Sequence, residues 1–372
     1  MTGPHPPGTG PGPDEQLDLR WLVGLMAANT VAAVGLFGDI VRHLSIVGVQ
    51  TGDDFLAGWH LVLYGGVLGV VGVLAGIAWA EGPLGPGRRL PSATVGLVVL
   101  TAGGVGDALW HEAYGVEAAF PALVSPPHLA VFAGLVALMV APIGALAREP
   151  QPLDRARSAI VAGSVTSVLL VITLFTGYLT PLIGGSEIQA GAYTEPLVAT
   201  SILDHDTARG LAQVLWFATL SSFAAVVVRT RLAPERGTWT GAFGLLGLAP
   251  LVVTGFSALP LTIGLVALGA VTDLTGAERR PHPLATGLAA ASMWAAYFLV
   301  IGLRGDLVWL RELWAGAIAS SFLAGLAVAG GIRWIAPPRA DVAPRVGYPT
   351  QGDREGAPEG GRDGDGRGRT VG

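Results

Sequence analysis

Long apolar stretches separated by short polar breaks set the rhythm of this chain. Crossing an apolar layer about 30 Å thick takes about 20 helical residues. On that measure the pattern predicts spans near 21–43, 59–80, 93–111, 127–147, 158–180, 207–229, 240–256, 258–275, 284–303 and 310–335. The expected fold class is all-α, a polytopic transmembrane helix bundle of about ten spans. The seventh and eighth spans share about 35 residues and contain Pro250 and Pro260, which is short for two crossings. Arg229, Arg231 and Arg236 precede this pair, and Arg279 and Arg280 follow it. If both flanks lie on one side, the pair is a hairpin rather than a single crossing.

The polar breaks alternate in charge. Arg88 and Arg89 fall in the second loop, and Arg148, Arg155 and Arg157 in the fourth. The first, third and fifth loops are acidic instead, with Asp53 and Asp54, Glu112 and Glu117, and Glu187, Glu195 and Asp204. The excess of Arg on cytoplasmic loops then puts both termini inside the cell and the odd loops outside, in a multi-pass protein of the cell membrane. Residues 1–20 and 337–372 are poor in large apolar groups and read as disordered tails.

Composition agrees and narrows the chemistry. Of 372 residues, 51% are hydrophobic and only 13% charged. A soluble domain carries about 25% charged residues, so an ordinary soluble enzyme is excluded. There is no Cys, which removes disulfides, thiolate-bound zinc, iron–sulfur clusters and covalently attached haem. All 22 basic residues are Arg, and without Lys neither a retinal Schiff base nor a P-loop is available. The partners expected are membrane lipid and a small or lipophilic substrate, with no nucleic acid.

Within the apolar background one pattern repeats. Gly38-Asp39-Ile-Val-Arg-His43 returns as Gly106-Asp107-Ala-Leu-Trp-His111, 68 residues on. The same offset carries Gly35 to Gly103, His60 to His128, Tyr64 to Phe132 and Gly66 to Gly134. The unit, G-D-x3-H-x16-H-L-x-x-[YF]-x-G, spans the end of one helix, an outer loop and the start of the next. Two helices per unit preserve direction, so the repeat is parallel. It divides the chain into a duplicated helix-pair region at 21–147, a third helix pair at 148–230 and a four-helix scaffold at 231–336. The third pair has no G-D-x3-H, but its second helix opens with Asp204-His205-Asp206, and Arg209 follows one turn later.

Five of the seven histidines, His43, His60, His111, His128 and His205, thus fall at outer helix ends together with Asp39 and Asp107. Residues i and i+4 share a helix face, so each Asp lies one turn below its His. Ser125-Pro126-Pro127 places an N-cap and a first-turn proline directly before His128. Ionisable groups inside a span are costly and functional by default. Imidazole is the commonest metal ligand, and the neighbouring carboxylate either ligates or orients it. Asp39, His43, His60, Asp107, His111, His128 and His205 are therefore the candidate metal ligands. Nitrogen and oxygen donors suit copper, zinc, iron or manganese, in two separate sites or one shared dinuclear site. Haem b held by two His on facing helices is the alternative cofactor. The plainer alternative treats the Asp–His pairs as hydrogen bonds joining helices. Glu117 and Asp206 are candidate proton carriers. Arg209 either pairs with a carboxylate or binds an anionic substrate.

Gly106 to His111, followed by Ser125-Pro126-Pro127-His128-Leu129, resembles a group of uncharacterised multi-spanning bacterial membrane proteins, as does Asp204 to Gly210. Asp39/His43 and Asp107/His111 are also similar to the Asp-x3-His of the C subunit of copper membrane monooxygenases, although the sixteen residues before the next His are more than in that family. That second resemblance implies copper and an oxidoreductase activity. The alternative reading is a transporter or metal-handling protein that uses the same residues as an outer loading site.

Overall fold

The structure is a computed structural model that describes residues 17–45, 58–115, 124–149, 153–179, 205–275, 282–307 and 309–335. The side chains of 41–45, 178, 205–206 and 253–256 lie outside that description. The described residues form eleven α-helices and no strand. They are α1 (Leu19–Ser45), α2 (Gly58–Glu81), α3 (Gly85–Arg89), α4 (Pro91–Tyr114), α5 (Pro126–Leu146), α6 (Arg155–Phe175), α7 (His205–Arg231), α8 (Thr238–Thr254), α9 (Leu259–Leu274), α10 (Pro283–Arg304) and α11 (Arg311–Ile335). Eight of them are long and apolar enough to cross a membrane. The chain is a multi-pass helical membrane protein.

The other two apolar helices are α8 and α9, with 17 and 16 residues. At 1.5 Å per residue each is about 25 Å long, a few ångströms short of the hydrocarbon layer. They form a hairpin, as the flanking arginines implied. A single 3-10 turn, Gly255–Ala258, joins them. Asp273, near the end of α9, returns to the start of α8. Its Oδ2 accepts from Thr240 N (2.8 Å) and Thr240 Oγ1 (2.7 Å), and its Oδ1 from Trp239 N (3.2 Å). A carboxylate from a neighbouring helix thereby caps amides that α8 leaves open.

Helix α1 packs along α2, and α4 along α5, while α6 runs through the middle against α1, α5 and α8. The two hairpins close at backbone distance because glycine lines both seams. A Cβ on Gly35 would strike the backbone of Leu63, and one on Gly66 the backbone of Ala32. The same contacts recur 68 residues later. A Cβ on Gly103 would lie 2.8 Å from Val131 N, and one on Gly134 2.6 Å from Leu100 N. A third pair is preserved with its members exchanged: Gly69 faces Ala28, and Gly96 faces Ala137. Without a hydrophobic drive between helices in lipid, such close packing is what holds them together.

One buried polar side chain joins the hairpins. Pro142 lies inside α5 and brings no N–H to the carbonyl four residues back, that of Leu138. Asn29 of α1, 2% exposed, supplies the missing donor: its Nδ2 donates to Leu138 O at 2.9 Å. Asn29→Leu keeps the bulk and leaves that carbonyl unpaired. It is expected to cost about 1 kcal/mol, the usual worth of such a bond between helices. Thermal unfolding in detergent or nanodiscs measures this, and an unchanged midpoint would show that the bond carries no weight.

The arginine-rich end is held by short ion pairs. Arg89 Nε meets Glu81 Oε2 at 2.7 Å, and Arg157 Nε meets Glu149 Oε2 at 3.0 Å. Asp154 caps α6 by accepting from Arg157 N at 2.8 Å. That amide, with the Arg157 charge beside it, holds the Asp154 carboxyl below its ordinary range. The cap is therefore intact at neutral pH and lost on acidification through the folded-state value.

Candidate metal centre

At the opposite end, α4 and α5 bring three ligand-bearing residues together. Asp107 lies two turns before the end of α4, and His111 is one turn above it on the same face. His128 is in the first turn of α5. One ligand atom from each lies within 4.8 Å of the other two. His111 Nε2 is 3.3 Å from Asp107 Oδ2, and His128 Nδ1 is 3.5 Å from Asp107 Oδ1. Two atoms each about 2.1 Å from one ion, at a tetrahedral angle, stand about 3.4 Å apart, close to the 3.3 Å between His111 Nε2 and Asp107 Oδ2. The three side chains are between 14% and 26% exposed, so the group is shielded but reachable.

Hydrogen bonds set the orientation of the His111 ring. Helix α4 ends at Gly115, whose φ of 82° lies in the left-handed region that glycine favours. The chain turns there so that Gly115 O accepts from His111 Nδ1 at 3.2 Å. With Nδ1 donating to that carbonyl, Nε2 is the His111 nitrogen turned to the carboxylate. Two acceptors 3.3 Å apart require a cation or a proton between them. A backbone carbonyl holding Nδ1–H is the usual outer-shell partner of a metal-bound imidazole. Asp107 Oδ1 is buried and has no hydrogen-bond donor among the described residues.

Ser125 differs from its expected role. It occupies the N-cap position of α5, yet its hydroxyl makes no capping bond. Ser125 Oγ instead lies 2.7 Å from His128 Nδ1. A serine-nucleophile triad would need Ser and Asp on opposite ring nitrogens, whereas both face Nδ1 here. Ser125 thus orients the ring and takes the single in-plane position of Nδ1, so Nε2 is the nitrogen that His128 would offer to an ion. Its part, like that of Gly115, was not visible as chemistry in the sequence, although Ser-x-x-His just before a helix was the available signal.

The first hairpin carries a related pair. His60 Nε2 lies 3.4 Å from Asp39 Oδ2, and Asp39 is 9% exposed. His60 stacks on Tyr64, with ring centroids 6.0 Å apart. Asp39 and Asp107 lie in the last turns of α1 and α4, and His60 and His128 in the first turns of α2 and α5, so the two pairs hold corresponding places in the two hairpins. Residue 43 lies in α1 one turn beyond Asp39, but the His43 side chain is outside the described residues.

Helix α7 begins at His205 and packs in part against the 3-10 turn Gly177–Leu179. Trp216 Nε1 donates to Thr176 Oγ1 at 3.2 Å, and Phe175 packs on Phe132 of α5, with ring centroids 4.7 Å apart. The start of α7 therefore shares this end of the bundle. The side chains of His205 and Asp206 lie outside the described residues, as does all of Glu117. Arg209 is exposed one turn into α7.

The fold and the cluster together define a multi-pass helical membrane protein with an Asp/His group able to hold a metal ion. No protein-family model, curated protein or solved structure matches the chain.

Proposed function

We propose that this is an integral membrane metalloprotein whose ion is held by Asp107, His111 and His128, facing the extracytoplasmic side. The observation that carries the reading is the convergence of one ligand atom each from Asp107, His111 and His128 within 4.8 Å, with His111 turning Nδ1 to Gly115 O and Nε2 to the carboxylate. Three protein ligands leave an open position, the arrangement of catalytic rather than purely structural sites. The arginine-rich loops at the other end support the orientation.

The resemblance to the copper monooxygenase subunit favours copper and an oxidoreductase activity. Two His and one carboxylate with open positions also suit non-haem iron, and zinc or manganese accept the same donors. A bare ion fits better than a haem. Helices α4 and α5 meet backbone to backbone at Gly103 and Val131, one turn below Asp107, which leaves no slot there for a macrocycle. An outer loading site for transport would need a polar path onward. Below Asp107, the α4 residues buried against neighbouring helices are Gly103, Gly96 and Ala93.

The ion would be bound by the carboxylate and two imidazoles and would supply Lewis-acid or redox chemistry at its open position. Asp107 contributes the charge, and Ser125 and Gly115 O hold the two rings in place. Metal content by mass spectrometry, with an absorption spectrum of the same full-length sample in nanodiscs, tests the reading. One or more equivalents of a transition metal without a Soret band is expected. A folded protein that takes up no ion even after incubation with Cu(II), Zn(II), Fe(II) or Mn(II) would overturn it.

A further inference from the structure

We infer that the α1–α2 hairpin holds a second metal ion at Asp39 and His60, so that each chain binds two ions in separate, equivalent places. This rests on the metal reading of the Asp107 group.

Equivalence at the level of contacts carries the argument. Asp39 meets His60 as Asp107 meets His128, through Nε2 at 3.4 Å in the first hairpin and through Nδ1 at 3.5 Å in the second, and each pair joins the same two helix positions at the offset of 68. The glycine contacts that set the spacing of the helices also correspond: Gly35 with Leu63 and Gly103 with Val131, Gly66 with Ala32 and Gly134 with Leu100. So does the contact beside the ligands. Trp59, just before His60, lies on Gly38, and Pro127, just before His128, faces Gly106. A Cβ on Gly38 would run into the Trp59 ring, which explains why glycine precedes the aspartate there. Two hairpins with matching seams place their ligand positions alike.

The sites are separate rather than one shared cluster. Each Asp–His contact is made within its own hairpin. The hairpins meet chiefly through α1 against α5, where Asn29 bonds Leu138, far along α1 from Asp39. The sites are also not identical. Tyr64 stacks on His60, whereas Phe132 at the matching position packs on Phe175.

The test is titration of full-length, metal-stripped protein in nanodiscs with Cu(II), followed by counting ions per chain and recording the electron paramagnetic resonance spectrum. Wild type is expected to hold two equivalents without exchange coupling. Asp39→Asn and His60→Gln should each hold one, and His111→Gln should hold the other one. Two near-isosteric variants at the first site guard against loss of folding in either, and an unchanged gel-filtration profile verifies it. A single equivalent in wild type, indifferent to Asp39→Asn and His60→Gln but lost in His111→Gln, would overturn the second site and leave the first reading standing. An exchange-coupled pair would overturn the separation of the sites. No uptake of Cu(II), nor of Zn(II), Fe(II) or Mn(II) in its place, in any form would overturn both readings.

Discussion

His111→Ala is expected to weaken the ion held at Asp107 and His128 by at least about 100-fold, since even outer-shell partners are worth about 10–100-fold. The substitution removes one of three ligands and leaves the Asp107 carboxylate with one imidazole in a setting that is costly for charge. It also isolates the role of the Gly115 carbonyl. That carbonyl accepts from His111 Nδ1 at 3.2 Å and leaves Nε2 as the nitrogen turned to Asp107. Gly115→Ala forces a side chain into a backbone with φ of 82° and moves the acceptor without touching a ligand. A smaller loss is expected there, about 10-fold, within the range for outer-shell changes. Competition with a chelator of known affinity measures both effects. Unchanged affinity in His111→Ala would remove it from the site. An effect of Gly115→Ala as large as that of His111→Ala would mean that the helix end, not the hydrogen bond, had been lost.

Gly134→Leu is expected to unfold the α4–α5 hairpin and to release the ion although every ligand remains. A Cβ at Gly134 lies 2.6 Å from Leu100 N and 2.8 Å from Leu100 Cα, so the clash is with backbone that no rotamer change relieves. Overpacking costs about 1–3 kcal/mol where side chains can shift, and more where two helices must separate. Separation of α4 from α5 also parts Asp107 from His128, which sit on different helices of the pair. Gly104→Leu is the control. Gly104 belongs to the same glycine-rich run, but a Cβ there meets nothing within 4 Å, so a change within about 0.5 kcal/mol is expected. Thermal unfolding together with metal content separates the outcomes. Equal tolerance of both substitutions would show that the seam is not the determinant of the site.

The positions of the spans were legible because their physics is local. A run of about 20 apolar residues closes its own hydrogen bonds only as a helix, whatever its neighbours do. The short helix α3, Gly85–Arg89, fell instead within an expected loop, because five residues carry no periodic signal. Tryptophan is common at lipid interfaces, and Trp309 stands just before the start of α11. It is 4% exposed and packs on Phe298, which itself contacts Trp294 and Tyr297. Sequence position puts an indole near a membrane boundary but does not say whether it faces lipid or protein.

The candidate site divides along the same line. The sequence by itself determined that Asp107 and His111 share a face, because one α-helical turn dictates it, and that a second Asp–His unit exists at an offset of 68. It also determined the donor chemistry, since a chain without Cys or Lys has only imidazole, carboxylate and arginine to work with at these helix ends. Only the tertiary structure decided that His128 crosses from α5 to meet Asp107 and that Ser125 turns its hydroxyl to His128 rather than to the helix backbone. It likewise decided that Asn29 answers the carbonyl freed by Pro142, more than 100 residues away in the chain (|i−j| = 109). The Asp107–His128 and Asn29–Leu138 contacts are between helices. Their geometry depends on how closely two glycine seams approach, and no local periodicity records that distance.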